Sequence, residues 1–223
     1  MGIAKVPTTP QDFAQGVTAG LQQGLARYSI EPAAVSLLSH ATTVVTNALL
    51  EKKGARTGFV TTRGFRDMLE LRRSSRADVY DLFQDPPAIL VPRRWRYEIT
   101  ERIDAQGNVV IPLEETDIDA VIAGIRDVGL DTVAVSCLFS FLNDAHERRV
   151  GERLRQTLPG VGVYLSCEVL PEIREFERAS TTAVCAYVGP LLAGYLHRLQ
   201  SAISELGLPQ LRHAFERRCV RCS

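Results

Sequence analysis

Apolar residues along this chain follow helical spacing in some segments and strand spacing in others. The first helical set is Phe13, Val17, Leu21 and Leu25. Their four-residue spacing predicts an amphipathic helix, with Thr9 as its N-cap and Pro10 in its first turn. A second helix is predicted over 44–53, and Gly54 after it is typical of a left-handed helix end.

Short, largely apolar runs predict strands at 35–39 and 57–62. Residues 72–96 lack periodicity and contain three prolines, so they are expected to form a long loop. Residues 97–103 alternate between polar and apolar side chains, and 109–111 follow a turn-rich segment. Together these two segments predict a β-hairpin.

The second half of the chain alternates between helical and strand patterns. The predicted order is helix, strand, helix and strand, over residues 116–128, 132–140, 145–158 and 161–166. This order implies a parallel right-handed crossover, and the hairpin adds antiparallel pairing. We therefore expect a mixed-sheet α/β or α+β domain. A last helical region, from Pro171 on, is predicted to be interrupted at Gly189 and Pro190.

Composition excludes several classes of protein. The chain has 223 residues, with 26 basic and 26 acidic side chains, and 45% of its residues are hydrophobic. A formal net charge of zero argues against a nucleic-acid binder, and the absence of a long apolar run argues against a membrane span. Five cysteines, an odd number, do not form a disulfide framework. We expect a cytoplasmic protein.

The first candidate site lies at the start of the predicted second helix. It consists of His40, Thr42, Thr43 and Asn47. Hydroxyl groups and backbone N–H groups at a helix start can bind an anion, and a histidine there can donate to a phosphate or carbonyl oxygen or shuttle a proton. The alternative is structural, with a Thr N-cap beside a hydrogen-bonded histidine.

The second candidate site is in the predicted long loop. Arg73 and Arg76 could clamp an anionic substrate or nucleotide, because guanidinium groups present paired N–H donors to carboxylates and phosphates. The alternative is a solvated loop in which the arginines pair with Asp78 and Asp81.

The third candidate site follows the last predicted strand. Carboxylates and arginines are dense there, including Glu168, Glu172, Arg174, Glu175 and Arg178. A carboxylate at this position could hold Mg²⁺ through water or act as a base. The alternative is an exposed helix start that is rich in acidic residues because of the helix dipole.

Six motifs occur in a fixed order along the chain. They are His40-x-Thr-Thr-x-x-Thr-Asn-Ala-Leu-Leu-Glu-x-Lys-Gly-Ala-Arg56, Thr61-Thr-x-Gly-Phe-Arg-Asp67, Arg73-x-x-Arg76-x-x-x-Tyr-Asp81, Val91-Pro-Arg93, Glu101-Arg-Ile-Asp-x-x-Gly107 and Glu168-x-x-Pro-Glu-x-Arg-Glu-x-Glu-Arg178. Over about residues 5–207, this set resembles the N-terminal domain of the ATP-dependent hydantoinase/oxoprolinase family.

The resemblance implies a partial actin-like, sugar-kinase-like ATPase domain of the ribonuclease H-like type over residues 1–212. Members of the family use ATP to open cyclic amides such as hydantoin or 5-oxoproline, and relatives are subunits of acetone or acetophenone carboxylases. The implied cofactors are ATP and Mg²⁺. The implied partners are a small cyclic amide or ketone substrate and a B-type subunit or a C-terminal remainder, with no nucleic acid and no membrane.

Carried over by position, the resemblance implies three catalytic residues, His40, Glu168 and Arg178. It implies five nucleotide-binding residues, which are Thr42, Thr43, Asn47, Arg73 and Arg76.

The sequence departs from the family pattern in three places. An Asp-x-Gly-Gly-Thr phosphate hairpin is expected before the first helix and does not occur, so we expect a chain truncated at both ends with little ATPase activity of its own. Ala41 stands where the family has Gly, and Cys167 stands where it has His. Residues 213–223 are expected to be a tail outside the family pattern. The alternative to an enzyme is a non-catalytic α/β module that only binds a partner.

Overall fold

The computed structural model describes residues 2–9, 11–73, 80–81, 83 and 89–209. The chain divides into two compact units. Among the described residues, one unit consists of residues 2–53 together with 190–209, and the other of residues 54–189. The expected boundary between a family region over 1–212 and a tail over 213–223 stays a prediction, because the tail lies outside the described residues.

The 54–189 unit is built on a four-stranded parallel sheet. Its strands are β1 (Thr57–Thr62), β2 (Arg96–Ile99), β5 (Thr132–Ser136) and β6 (Gly162–Leu165). The order across the sheet is β2-β1-β5-β6, and every neighbouring pair is parallel. All residues of β1 and β5 are buried, which explains why their sequences show no regular alternation of polar and apolar residues.

The predicted strand over 132–140 ends early, at Ser136. The next backbone N–H, that of Cys137, donates to the carboxylate of Glu147 at 2.8 Å, and Phe139 adopts a left-handed conformation with φ of 54°. The chain therefore leaves the sheet at a tight turn although its residues remain apolar.

The predicted hairpin is present, but it forms a sheet of its own. Strands β3 (Arg102–Ile103) and β4 (Val109–Ile111) pair antiparallel with each other. The run over 97–103 is split, because β2 pairs in parallel with β1 whereas β3 pairs antiparallel with β4, and Thr100 and Glu101 between them belong to neither strand. The α/β class is confirmed, with antiparallel pairing confined to this second sheet.

Two amphipathic helices share one apolar core with the parallel sheet. They are α4 (Glu115–Val128) and α5 (Ala145–Thr157), and their buried residues cluster with those of β1, β5 and β6. Glu114 is the N-cap of α4, since its carboxylate accepts the Thr116 N–H at 3.3 Å. Helices α3 (Met68–Leu71) and α6 (Ser166–Val169) are single turns.

The other unit contains α1 (Phe13–Arg27), α2 (Val44–Leu50) and part of α7 (Glu175–Glu205). The apolar face predicted for the first helix packs in the core of this unit. Its N-cap is Asp12, whose carboxylate accepts the Ala14 N–H at 3.1 Å. Thr9, the predicted cap, does not cap the helix itself. Its hydroxyl donates to the carbonyl of the N-cap residue Asp12 at 2.7 Å.

Three local predictions in the helical segments are wrong. Residues 35–39 are irregular, because the described part of this unit has no strand with which they could pair. The left-handed residue after α2 is Lys52, with φ of 55°, and Gly54 is required for space, since a methyl there would overlap the Tyr187 ring. Helix α7 continues through Pro190, because buried residues before and after the proline stabilise it by packing.

Helix α7 also has the length and hydropathy of a membrane-spanning segment. More than half of its most apolar window is buried inside the protein, and long core helices of soluble proteins meet the same criterion.

Candidate functional site

A cleft of about 680 Å³ lies within the unit formed by the N-terminal segment and the second half of α7. Its lining includes the apolar residues Val6, Phe13 and Val17. It also includes four of the polar residues singled out from the sequence, called here the polar wall, which are His40, Thr42, Thr43 and Asn47. The structure thus brings these four side chains to one surface.

The packing of α2 explains this placement. Val44 and Ala48 are buried, and Asn47, three residues after Val44, lies beside them on the helix but is exposed and lines the cleft. Thr43 is the N-cap residue without a side-chain capping bond, and the hydroxyl of Thr42 accepts the Val44 N–H at 3.3 Å. The Thr43 side chain is therefore not used as a cap and stays exposed at the cleft.

The phenol of Tyr195 is a further member of this site. Its oxygen lies 2.7 Å from Nε2 of His40, and the two rings are tilted by 45° with their centroids 5.9 Å apart. Tyr195 is only 2% exposed. Burial raises the pKa of its phenol, and a hydrogen bond with the Thr42 side chain opposes that effect. Sequence analysis missed Tyr195, because it lies 155 residues away along an apolar helix and carries no local signal.

The candidate residues of the 54–189 unit are already engaged with other side chains. Arg73 is half-exposed and lies 2.5 Å from Glu177, and this hydrogen bond lowers the pKa of the Glu177 carboxyl. Glu168 accepts from Arg148 at 3.3 Å and from Arg155 at 3.1 Å. Arg76 lies outside the described residues.

Arg178 is fully buried beside the turn that follows β5. Its guanidinium donates to the Cys137 carbonyl at 2.8 Å and to the side chains of Ser140 and Glu175. Its Nε has no hydrogen-bond partner among the described residues. The contacts of Arg178 therefore tie the first turn of α7 to the end of β5.

A buried carboxylate links the ends of β5 and β6. Glu147 has no exposed surface and accepts the backbone N–H groups of Cys137 at 2.8 Å and Cys167 at 2.7 Å, as well as the Ser166 hydroxyl at 2.9 Å. Burial, together with the Glu147 charge, raises the pKa of the Cys137 and Cys167 thiols. Both thiols therefore stay protonated at neutral pH, unlike reactive cysteines.

Glu101 is a second buried carboxylate at this edge of the sheet. It accepts from the Thr62 hydroxyl and lies 2.9 Å from Nδ1 of His146. From the sequence, Glu101 was predicted only as part of a motif, and Glu147 was not predicted at all. A signal for Glu147 was available, because it shares one helical face with Val150 and Leu154, where an unpaired carboxylate would be costly.

Of the predicted site residues, His40, Thr42, Thr43 and Asn47 therefore lie together in the cleft beside α2. Arg73, Glu168 and Arg178 lie in the other unit, and each contacts different side chains there. The assignment of all these residues to a nucleotide site stays a prediction. Among the described residues, no group of three His, Cys, Asp or Glu side chains is arranged to hold a metal ion.

A family model and several known proteins match this chain. A sequence model described as "Hydantoinase/oxoprolinase N-terminal region" matches residues 1–158. The caprolactamase alpha subunit of Pseudomonas jessenii is 37% identical over 95% of this chain and 31% of its own length. The acetophenone carboxylase gamma subunit of Aromatoleum aromaticum is 35% identical over 83% of this chain and 28% of its own length.

A solved structure extends the comparison to the fold. The crystal structure of the ATP-dependent caprolactamase from Pseudomonas jessenii matches 92% of this chain and 30% of that one, with a TM-score of 0.83 and 38% identity. This likeness confirms the α/β fold of the actin-like ATPase type that the sequence motifs implied. The chain spans about 30% of the length of these relatives.

Proposed function

Because the chain belongs to the hydantoinase/oxoprolinase N-terminal family, we propose that it is the N-terminal ATPase portion of an ATP-dependent cyclic amidase. The observation that carries the proposal is the match of 92% of the chain, at 38% identity, to a structure described as an ATP-dependent caprolactamase. The proposed substrates are small cyclic amides, such as hydantoin, 5-oxoproline or a lactam.

The polar wall of the cleft is the proposed nucleotide-facing surface. The hydroxyls of Thr42 and Thr43 and the amide of Asn47 can donate to phosphate oxygens, and His40 can donate to a phosphate or carbonyl oxygen. ATP would supply a phosphoryl group to the amide oxygen and so activate a poor electrophile. For such a transfer the protein contributes mainly position and compensating charge.

The proposal includes Mg²⁺ bound to the phosphates of the nucleotide. Protein-bound Mg²⁺ commonly takes one or two carboxylates together with substrate phosphates and keeps several waters. The described residues offer no cluster of three metal ligands. We therefore propose that Mg²⁺ enters the site bound to the triphosphate.

The residues of the 54–189 unit have supporting roles in this proposal. The assignment of Arg73 and Arg76 to the nucleotide rests on the family resemblance alone, and Arg73 is paired with Glu177 in the structure. Arg178 is buried, and it would act by holding the turn after β5, while Glu168 would hold α6 to α5 through its two arginines.

A carboxylase subunit is the second candidate function. The 35% identity to an acetophenone carboxylase gamma subunit favours it, and in that case the substrate would be a ketone. Both named relatives are subunits, so we propose that the chain works with a B-type subunit or with a C-terminal remainder of a longer polypeptide. We also propose a cytoplasmic location.

The test is nucleotide binding by the 223-residue chain, measured by isothermal titration with MgATP. We expect micromolar binding that is weakened in a Thr42→Val, Thr43→Val double variant. Thr116→Val is the matched control, because Thr116 is an exposed threonine at the start of α4. Absence of binding by the unmodified chain would overturn the proposal and favour a non-catalytic module that binds a partner.

Turnover is measured in the same preparations with hydantoin, 5-oxoproline and caprolactam. We expect ATP hydrolysis near background, because the chain spans about 30% of the length of its relatives. Hydrolysis well above background by this chain alone would contradict that expectation.

A further inference from the structure

A pocket of about 250 Å³ lies within the 54–189 unit, and it shares no lining residue with the cleft described above. Three segments line it, which are α3 with the residue after it, residues 89–91 and the first half of α7. Seven of its nine lining residues are apolar, and the other two are Arg72 and Ser180.

Helix α7 presents one of its faces to this pocket. Phe176, Ser180 and Val184 recur at four-residue intervals, so they lie on the same side of the helix. Phe176 and Val184 are only half-buried, as are Leu69 and Leu90 on the other sides of the pocket. Covering such apolar surface with an apolar ligand is favourable, because it removes the surface from water. The lining therefore favours an apolar occupant.

The volume of the pocket limits the size of that occupant. Drug-sized ligands occupy pockets of about 300–1,000 Å³, so a pocket of about 250 Å³ suits a smaller molecule. A nucleotide is unsuited to it, because phosphates need several hydrogen-bond donors and most of the lining is apolar. A small ring made mostly of methylene groups matches both the volume and the lining.

Ser180 supplies a directed polar contact in this apolar lining. Its hydroxyl donates to the carbonyl of Glu177 at 3.2 Å, about one turn earlier on α7. With its proton used in this way, the Ser180 oxygen keeps lone pairs that can accept a hydrogen bond. Among the described residues, no other hydrogen bond engages this side chain. A ring that carries an N–H group matches an acceptor in these surroundings.

We propose that this pocket binds a lactam, a small ring of methylene groups that carries one amide. The methylenes pack against Leu69, Phe176 and Val184, and the lactam N–H donates to the Ser180 oxygen. That the lactam is the substrate to be opened rests on the proposed function, whereas the preference for an apolar ring with an N–H group follows from the lining. Hydantoin and 5-oxoproline fit less well, because they bring further polar groups against apolar side chains.

The test is a titration of the ¹⁵N-labelled 223-residue chain with caprolactam, followed by NMR chemical shifts. We expect saturable binding with a Kd of about 1 mM or tighter, and intermolecular NOEs from the ring methylenes to the Leu69 and Val184 methyl groups. Valerolactam, which is one methylene smaller, should bind about fourfold more weakly. Hydantoin and 5-oxoproline should bind weaker by about tenfold or more.

These measurements need no variant, so they test the inference even if a substituted chain fails to fold. Absence of saturable caprolactam binding, NOEs only to residues outside the pocket, or equal affinity for hydantoin would overturn it.

Substitutions of Ser180 test its role as an acceptor, and the same substitutions of Ser201 are the matched controls. Ser201 also lies on α7 and donates its hydroxyl to its own helix, at the His197 carbonyl at 3.0 Å, but it does not line this pocket. Ser180→Ala should weaken caprolactam binding by about threefold to tenfold, the loss expected for one neutral hydrogen bond. It should leave binding of cycloheptanone unchanged, because that ring of the same size has no N–H group.

Ser180→Leu should fill the pocket and abolish binding of both rings, whereas Ser201→Ala and Ser201→Leu should change neither affinity. Equal effects of the substitutions at the two positions would overturn the inference. Cycloheptanone binding as tight as that of caprolactam would overturn the choice of an amide and favour a ketone ligand.

Titration with MgATP separates this inference from the proposed function. Lactam binding in the pocket without MgATP binding would contradict the proposed ATPase role and leave the assignment of the pocket intact. MgATP binding without lactam binding would overturn the assignment of the pocket and leave the proposed ATPase role standing.

Discussion

The buried carboxylate of Glu147 connects the carboxyl ends of two neighbouring strands of the parallel sheet. Its carboxylate has no exposed surface and accepts three hydrogen bonds, from the Cys137 and Cys167 amides and the Ser166 hydroxyl. These groups follow β5 and β6, where backbone N–H groups have left the sheet and need acceptors. The carboxylate therefore satisfies donors that apolar residues could not.

Replacing this carboxylate by an amide tests that role. Glu147→Gln keeps the shape of the side chain but turns an NH₂ group toward N–H donors. We expect the free energy of unfolding to fall by about 2–3 kcal/mol, because a charged acceptor is lost and a buried donor is left unpaired. The measurement is urea unfolding at pH 7.

Glu152→Gln is the matched control, because Glu152 lies on the exposed side of the same helix. It should change the free energy of unfolding by less than about 0.5 kcal/mol. Equal stability of the two variants would show that Glu147 is not needed as an acceptor.

Helix α7 is continuous although its sequence contains two residues that disfavour a helix. Its 31 residues include Pro190, which removes one backbone hydrogen bond, and Gly189, which has low helix propensity. The position of Gly189 has a packing reason, since a methyl group built there would overlap the Tyr164 hydroxyl and ring. Gly189 is therefore required for the close approach of Tyr164 and not for a break in the helix.

Two glycine substitutions on this helix should have opposite effects. Gly189→Ala should destabilise the protein, because Tyr164 would have to move from its packed position. Gly194→Ala should stabilise it by up to about 1 kcal/mol, since a methyl there meets only the Arg198 guanidinium at 3.5 Å and alanine favours helix. Thermal unfolding of both variants checks this, and stabilisation by Gly189→Ala would contradict it.

At the scale of the whole molecule, each compact unit has an apolar core of its own. Ile125 is fully buried in the core of the 54–189 unit, and Leu199 is fully buried in the core of the other. The single tryptophan, Trp95, packs against the core that contains Ile125. Tryptophan fluorescence therefore reports on one unit, whereas far-UV circular dichroism reports on both.

Matched core truncations should affect these two signals differently. Ile125→Ala should lower the urea midpoint of tryptophan fluorescence, since such truncations cost about 2–5 kcal/mol. Leu199→Ala should leave that midpoint unchanged and introduce an earlier loss of circular dichroism. Equal shifts of the fluorescence midpoint in both variants would show that the chain unfolds as one cooperative system.

Sequence patterns predicted the elements whose periodicity is long and unambiguous. Helices α4 and α5 begin and end within one residue of the positions expected, and the strands predicted at 57–62 and 132–140 contain the buried strands β1 and β5. The segment over 35–39 failed, because a short apolar run becomes a strand only where a partner strand is available. The hairpin was predicted, but its separation from the parallel sheet was not.

The same division holds for the candidate site. The grouping of His40, Thr42, Thr43 and Asn47 at one cleft follows from their closeness along the chain and from the buried face of α2. Their contact with Tyr195 could not be predicted, because apolar spacing on a helix does not identify which distant polar group a buried phenol meets.

The sequence by itself determined the family, through motifs of fixed order, and the α/β class, through the alternation of helical and strand patterns. Only the tertiary structure decided how its buried charges and hydroxyls are paired, as in Glu147 with the ends of β5 and β6 and Tyr195 with His40. The physical reason is that periodicity reports which side of an element is buried, whereas a hydrogen bond depends on distances of about 3 Å between atoms that are remote along the chain.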